Sequence, residues 1–552
     1  MKHISCLLFL LLAACSSSSD SKQDLAAGDV PDTASPDATG ETTPYPVDLI
    51  PEAVDLVPET PDLVAEVTPA FTPGGLPLAL PFEYTRPDKG TPLSAEEIAD
   101  VTTRLTGFWA QIDYFNWVYE TCHGMDESTG FPDYLIWWHD VDAVKEGDTV
   151  TFRHNPAYGG SHNNAVPTAV VLLGAIGGYL STGDQAMGRI VEQFVKSFTA
   201  LQKGFVYDEN DPIDFIVARN IISFNHEFVM PNGKKKAVDY TPWYFEYQGW
   251  NADRYNYPNN PTYGDVWVTT MRSKDDVPYI FRVAAWLPYI IELSDDDEIK
   301  QAAQEAYEYA VKFAKDIVDQ GYFIRSKDKD GNAIIPDQDL ASFVDFVDLI
   351  PDAECDARLA SALMGYGEPL DNACGSGQGS LYDDVAGDMH YFNYAIVDHF
   401  HLAAIHLALV TKQDEMAKEL LAGFATRVER YLDPNSGWLG QNDESWQRDI
   451  ALLLLKGATL GLPLTSEEAR LVQQFHAQAV DIYELFPNWD LWDPSVPDGT
   501  YDFRKGFHPA HTPEAIKIED MVFILEYCWS PFKNPASARF VDCDTVNTVS
   551  TW

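Results

Sequence analysis

Along the chain, stretches that are apolar nearly all round alternate with stretches that keep apolar residues at three- and four-residue spacing among charges. Four such pairs stand out, and a short acidic turn joins the members of each: Ser181-Thr182-Gly183-Asp184, Ser294-Asp295-Asp296-Asp297, Thr411-Lys412-Gln413-Asp414 and Thr465-Ser466-Glu467-Glu468. A Ser or Thr followed by acids is a helix-start signal, with the hydroxyl capping backbone N–H groups and the acids complementing the helix dipole. The pattern predicts apolar helices over roughly 163–180, 275–292, 388–409 and 446–460, each followed by an amphipathic helix such as 299–317. A helix apolar on every side is buried and a striped one forms a surface layer. The chain therefore reads as mostly α, with inner and outer helices taken in turn. Two more helices, about 94–121 and 513–529, stand at the ends of this region, and pairing them would close the set on itself.

Alternating inner and outer helices closed in this way resemble the α/α-toroid of six-hairpin glycosidases and toroid polysaccharide lyases. The resemblance spans most of residues 94–530 and rests on the pattern of helices. It implies a glycan-cleaving activity with no cofactor. The turns at 181, 294, 411 and 465 are unevenly spaced, so hairpins are missing or long insertions replace them. An open α-solenoid is the structural competitor.

The connections are unequal. Those from inner to outer helices are short, whereas those leading into inner helices are long and loaded with polar and aromatic residues. In a hairpin array all the long ones fall at one end, where helix N-termini converge and favour anionic groups, and long loops on a rigid scaffold carry function. The candidates there are His162, Asn163 and Asn164; Trp250, Arg254 and Tyr255; Arg272, Asp275 and Asp276; His390 and Tyr391; Asp443, Glu444 and Trp446; and His508. Rings beside amides and charges suit a sugar, which offers an apolar C–H face and a rim of hydroxyls.

Three kinds of chemistry fit these residues. Glycoside hydrolysis needs one protonated and one ionised carboxyl, and adjacent acids such as Asp275–Asp276 or Asp443–Glu444 repel each other and push one pKa upward. Elimination on a uronic acid is the alternative that the lyase resemblance implies. There an Asn or Arg neutralises the sugar carboxylate (Asn163, Asn164, Arg254, Arg272) while His or Tyr moves the proton (His162, His390, Tyr255, Tyr391). The third reading is a glycan- or protein-binding protein without catalysis. Metal chemistry is not expected. His399 and His401 stand two apart on a helix and point to different sides, and the stretch from Asp328 to Asn332 reads as an Asp-Gly turn between strands. No Gly-rich phosphate loop, GxSxG or HExxH occurs, which excludes nucleotide-driven enzymes, α/β-hydrolases and zincins.

The N-terminal residues and the charge add compartment. Lys2 and His3 precede an apolar run to Leu12, too short to span a bilayer, which ends in Leu12-Ala13-Ala14-Cys15. This resembles the lipobox of bacterial lipoproteins and implies a signal peptide over 1–14, lipidation of Cys15 and anchoring by several acyl chains. Ser16 after the Cys points to the outer membrane. Residues 15–81, rich in Pro and acids, predict a disordered tether that at about 3.1 Å per residue reaches up to roughly 200 Å, with the globular domain over 82–552. A formal net charge of −48 makes nucleic acid and anionic lipid headgroups poor partners, leaving a poly- or oligosaccharide and the lipid anchor. Export permits disulfides. The close pairs Cys355–Cys374 and Cys528–Cys543 are the favoured bridges, with Cys122 left over.

Overall fold

The computed structural model describes residues 75–112, 141–146, 149–154, 165–204, 217–223, 227–229, 235–237, 254–260, 262–270, 277–319, 326–327, 333–334, 398–433, 444–484, 518–534 and 540–548. All belong to one compact unit. Helices dominate, and the chain is mostly α. In order they are α1 (Ala95–Ile112), α2 (Ala165–Thr182), α3 (Gln185–Lys203), α4 (Val277–Leu293), α5 (Asp297–Asp319), α6 (His399–Val410), α7 (Asp414–Leu432), α8 (Glu444–Thr459), α9 (Ser466–Glu484), α10 (Ile518–Trp529) and the single turn α11 (Cys543–Val546).

The apolar stretches are the buried ones. Every residue of α6 is buried, as are Val277 to Ile290 of α4. On α3 the buried apolar residues Met187, Ile190, Val191, Phe194, Val195 and Phe198 recur at three- and four-residue steps, so this helix covers the core with one face. The expected short turns join α2 to α3, α4 to α5, α6 to α7 and α8 to α9, but their caps follow the expectation only in part. Thr465 and Glu468 form a reciprocal capping box at the start of α9. For α3 the cap is Asp184, which accepts from Ala186 and Met187, and for α5 it is Asp296, which accepts from Glu298 and Ile299. A carboxylate placed after Gly183, at φ 66°, reaches the free N–H groups better than Thr182 upstream, whose hydroxyl turns back onto the Gly178 carbonyl.

Contacts between inner helices run in step. Gly174 and Gly177 of α2 lie against Val522 and Leu525 of α10. Tyr279, Phe281 and Trp286 of α4 meet His399, Phe400 and His406 of α6. Arg282 and Trp286 of α4 also reach Glu526 and Trp529 of α10. Residue numbers rise together in each pair, so these helices are parallel. The C-terminal ends of α8 and α10 meet, where Ser530 Oγ donates to the Thr459 carbonyl and Asn534 to that of Gly461. The α2–α10 approach depends on glycine: a Cβ at residue 177 would lie 2.5 Å from the Leu525 carbonyl oxygen. Outside these helices, α3 packs on α2 and α5, α7 on α6 and α8, and α9 on α8 and α1.

One expected pairing changes. Helix α1 packs on α9 and α11, while α10 packs chiefly on α2 and α8, so α1 is an outer helix and α10 an inner one. The Cys528–Cys543 disulfide, with Cα atoms 5.2 Å apart, ties α10 to α11, and the Thr102 hydroxyl on α1 accepts from the Asp542 N–H. The chain before α1 lies against the end that carries the short turns. There Tyr289 donates to the Pro77 carbonyl, Asn534 to that of Tyr84, and Arg86 pairs with Glu429 and Glu468.

The long connections contain strands, of which only the pair around the Asp-Gly turn at 328–332 is expected from the sequence. Hairpins form from β1 (Val141–Glu146) with β2 (Thr149–His154) and from β4 (Glu227–Val229) with β5 (Lys235–Ala237), and a three-stranded antiparallel sheet runs β3 (Ala218–Ser223), β7 (Gly264–Thr270), β6 (Arg254–Asn260). Two short strands, β8 (Ser326–Lys327) and β9 (Ala333–Ile334), flank the Asp-Gly segment. The three-stranded sheet leans on the end of α3: Val268, Ala218 and Ile221 crowd Gly204, whose carbonyl accepts from the Asn260 amide.

Candidate functional site

Because the inner helices are parallel, their first residues share one end of the bundle, and the long connections enter there. Tyr279 lies in the first turn of α4 and His399 opens α6. Around them the described residues form a buried polar cluster. His399 Nε2 is 3.2 Å from Tyr279 Oη and 3.2 Å from Lys456 Nζ of α8. An ammonium group has donors only, so Nε2 accepts and the ring proton belongs on Nδ1. Burial, then Lys456 and Arg282, push the His399 pKa well below its ordinary value, and the ring is neutral.

Next to this trio, Arg282 Nη2 donates to Glu526 Oε1 at 2.7 Å, and Trp286 Nε1 donates to the same oxygen at 3.0 Å. The Lys456 ammonium lies 4.5 Å from the centre of the Phe523 ring and the Arg282 guanidinium 5.7 Å from it, so one aromatic ring serves two cations. Asp398, directly before α6, takes hydrogen bonds from Arg427 (3.3 Å) and Tyr431 (2.9 Å) of α7. The cluster draws on the first turn of α4 and the last turns of α8 and α10, so it lies among the inner helices, and its two carboxylates among the described residues are both engaged in ion pairs.

His399 and His401 face different neighbours, as their spacing requires. The ring of His401 bonds the Leu420 carbonyl of α7 at 2.7 Å, and burial, then Arg427, lowers its pKa. Among the described residues no group of three His, Cys, Asp or Glu could hold a metal ion, and no helix is long and apolar enough to cross a membrane. A cavity of about 360 Å³ lies at the opposite end, between the chain before α1 and the turn into α9. Its charged groups are already engaged, Arg86 with Glu429 and Glu468, and Asp88 with Ser466, and they hold the segment in place.

Of the residues singled out in the sequence, Glu444 is the first of α8 and Trp446 the third, at the end where the connections enter. Arg254 and Tyr255 open β6. In the strand register Tyr255 pairs with Val268 and Arg254 with Thr269. His162, Asn163, Asn164, Trp250, Arg272, Asp275, Asp276, His390, Tyr391, Asp443, His508, Cys15, Cys355 and Cys374 lie outside the described residues.

Tyr279, Arg282, Lys456 and Glu526 were not singled out. A signal was present: each charged residue interrupts an otherwise apolar helix, and a buried charge is rare unless it is paired. No family model, curated protein or solved structure matches this chain.

Proposed function

We propose that the hairpins close into an α/α-toroid and that the chain is a surface-anchored carbohydrate-active enzyme, a glycoside hydrolase working through paired carboxylates. The observation that carries this reading is the parallel run of the inner helices. It puts the starts of α4 and α8 at one end, and in the sequence Asp275–Asp276 directly precedes α4 while Asp443–Glu444 spans the start of α8. One carboxyl protonates the leaving oxygen while a second acts as nucleophile or activates water. Repulsion between neighbouring acids is the effect that sets two such pKa values apart.

A second reading, β-elimination on a uronic acid, is favoured by the Tyr279–His399–Lys456 cluster, where a phenol and an ammonium group meet a neutral imidazole. Single variants of the full chain separate the two. For a hydrolase, Asp275→Asn, Asp276→Asn, Asp443→Asn or Glu444→Gln includes at least one change that lowers kcat by about 100-fold or more, while Tyr279→Phe leaves kcat within a few-fold. Full activity in all four carboxylate variants would sink the hydrolase assignment. Loss in Tyr279→Phe alone would favour elimination.

A further inference from the structure

Residues 540–548, with α11 among them, hold to the bundle at a few points that gather around one histidine. Phe540, Val541 and Val546 are buried, whereas Asp542, Asp544, Thr545 and Thr548 are exposed. The Phe540 carbonyl accepts from the Gln473 amide of α9, which also donates to the Glu97 carbonyl of α1, and the Asp542 N–H donates to Thr102 of α1. The Cys528–Cys543 disulfide ties the segment to α10. Under Phe540 lies His476 of α9, with ring planes 10° apart and centroids 6.2 Å apart, and the Tyr527 ring of α10 is 4.9 Å from that of Phe540. His476 is wholly buried, Phe475 is its other aromatic neighbour, and among the described residues neither of its ring nitrogens has a hydrogen-bond partner.

From this geometry we propose that residues 540–548 form an acid-released latch: protonation of His476 lifts Phe540 and its segment off α9 and α1, while the Cys528–Cys543 disulfide keeps the released segment on α10. A protonated imidazole carries two N–H donors and a charge, and its place beneath Phe540 offers no acceptor for either. The charged groups on the elements packed against α9 are committed elsewhere. On α1, Glu97 pairs with Arg470 and Arg104 donates to the Ala477 carbonyl; on α8, Lys456 meets His399; on α10, Glu526 pairs with Arg282; and Asp542 caps α11. None of them acts on His476, whose pKa is pushed down to about 3 by burial alone.

Lifting the segment brings water to the imidazole by moving three buried side chains rather than a helix of the bundle. The sign follows from proton binding. The uncovered ring titrates near the ordinary value of about 6.5, so the closed form is favoured above that pH and loses its advantage as pH falls towards the closed value, by about tenfold per unit. Cys528 and Cys543 are 15 residues apart in the chain, so the disulfide keeps the open segment within reach and the release reversible. The latch is independent of the carbohydrate reading.

Hydrogen exchange of the full chain in mild detergent, read by mass spectrometry at pH 7.5 and pH 5.0 and corrected for the intrinsic pH dependence of exchange, tests this. The expected result is opening of residues 541–547 about 30-fold more often at pH 5.0, a larger rise than at Met521 to Leu525 of α10, and loss of that difference in His476→Leu. His476→Phe, which keeps a flat ring under Phe540, is run beside it, and each variant's thermal midpoint at pH 7.5 is compared with the parent's. Loss of the pH step in either variant at a midpoint no lower than the parent's supports the latch. Opening that is the same at both pH values, that rises equally in the segment and in α10, or that rises undiminished in both His476 variants overturns it. The double change Cys528→Ser with Cys543→Ser separates the tie from the trigger: more opening at both pH values with the pH step retained supports the latch, and disappearance of the step contradicts it.

Discussion

Acid destabilises this protein between pH 6.5 and 5, before its carboxylates titrate. Four histidines, His399, His401, His406 and His476, are buried, and burial is the first cause of the lowered pKa of each. For His476 the folded value is pushed down to about 3. The sign follows from proton counting. Below about 6.5 the unfolded histidines take up protons that the folded ones refuse, so stability present above that pH is lost as pH falls towards the folded values. At pH 5, His476 alone removes about 2 kcal/mol, and the other three act in the same direction. Urea midpoints measured at steps from pH 7.5 to 5 should fall steadily. In His476→Leu the fall should be shallower by one proton's worth, because neither ring nitrogen of His476 has a hydrogen-bond partner among the described residues and its neighbours are Phe475 and Phe540. A midpoint that stays flat over this range would contradict the burial of these rings.

Removing Glu526 is the other large effect expected. Its pair with Arg282 joins α10 to α4 with both side chains at most 2% exposed, and the Trp286 indole donates to the same carboxylate oxygen. In Glu526→Ala a guanidinium remains buried without its counter-charge, which costs about 3–5 kcal/mol. The double variant Arg282→Met with Glu526→Leu should recover most of that loss, since apolar groups of similar volume can replace a buried pair at little net cost. Denaturant unfolding of the three variants measures both effects. A loss under about 1 kcal/mol in Glu526→Ala would mean that water reaches the pair.

Helix identity was legible because it depends on periodicity. The all-apolar run from Ala165 and the striped run after Asp184 differ in pattern, and they became α2 and α3 with ends within a few residues of the expectation. The caps were less legible, because each turn offers a Ser or Thr beside an acid and backbone geometry alone decides which of them reaches the free N–H groups. Apart from the pair around 328–332, the strands were less legible: the segment from Gly264 to Thr270 alternates Val266 and Val268 with Trp267 and Thr269, a two-residue period that lies within a long stretch rich in aromatic residues. The buried cluster was hardest to see. Tyr279, His399, Lys456 and Glu526 come from four helices far apart in the chain, and no local spacing announces that packing gathers their side chains into one cluster.

The central claim is glycan cleavage at the end of the bundle where the inner helices begin. It is tested most directly by incubating the full chain with a panel of neutral and uronic polysaccharides, following reducing ends and the ultraviolet absorbance of unsaturated uronates in the same wells. The account predicts new reducing ends from a neutral polymer with no rise in absorbance. Reducing ends accompanied by absorbance would replace hydrolysis with elimination, and no reducing ends from any polymer would contradict the claim.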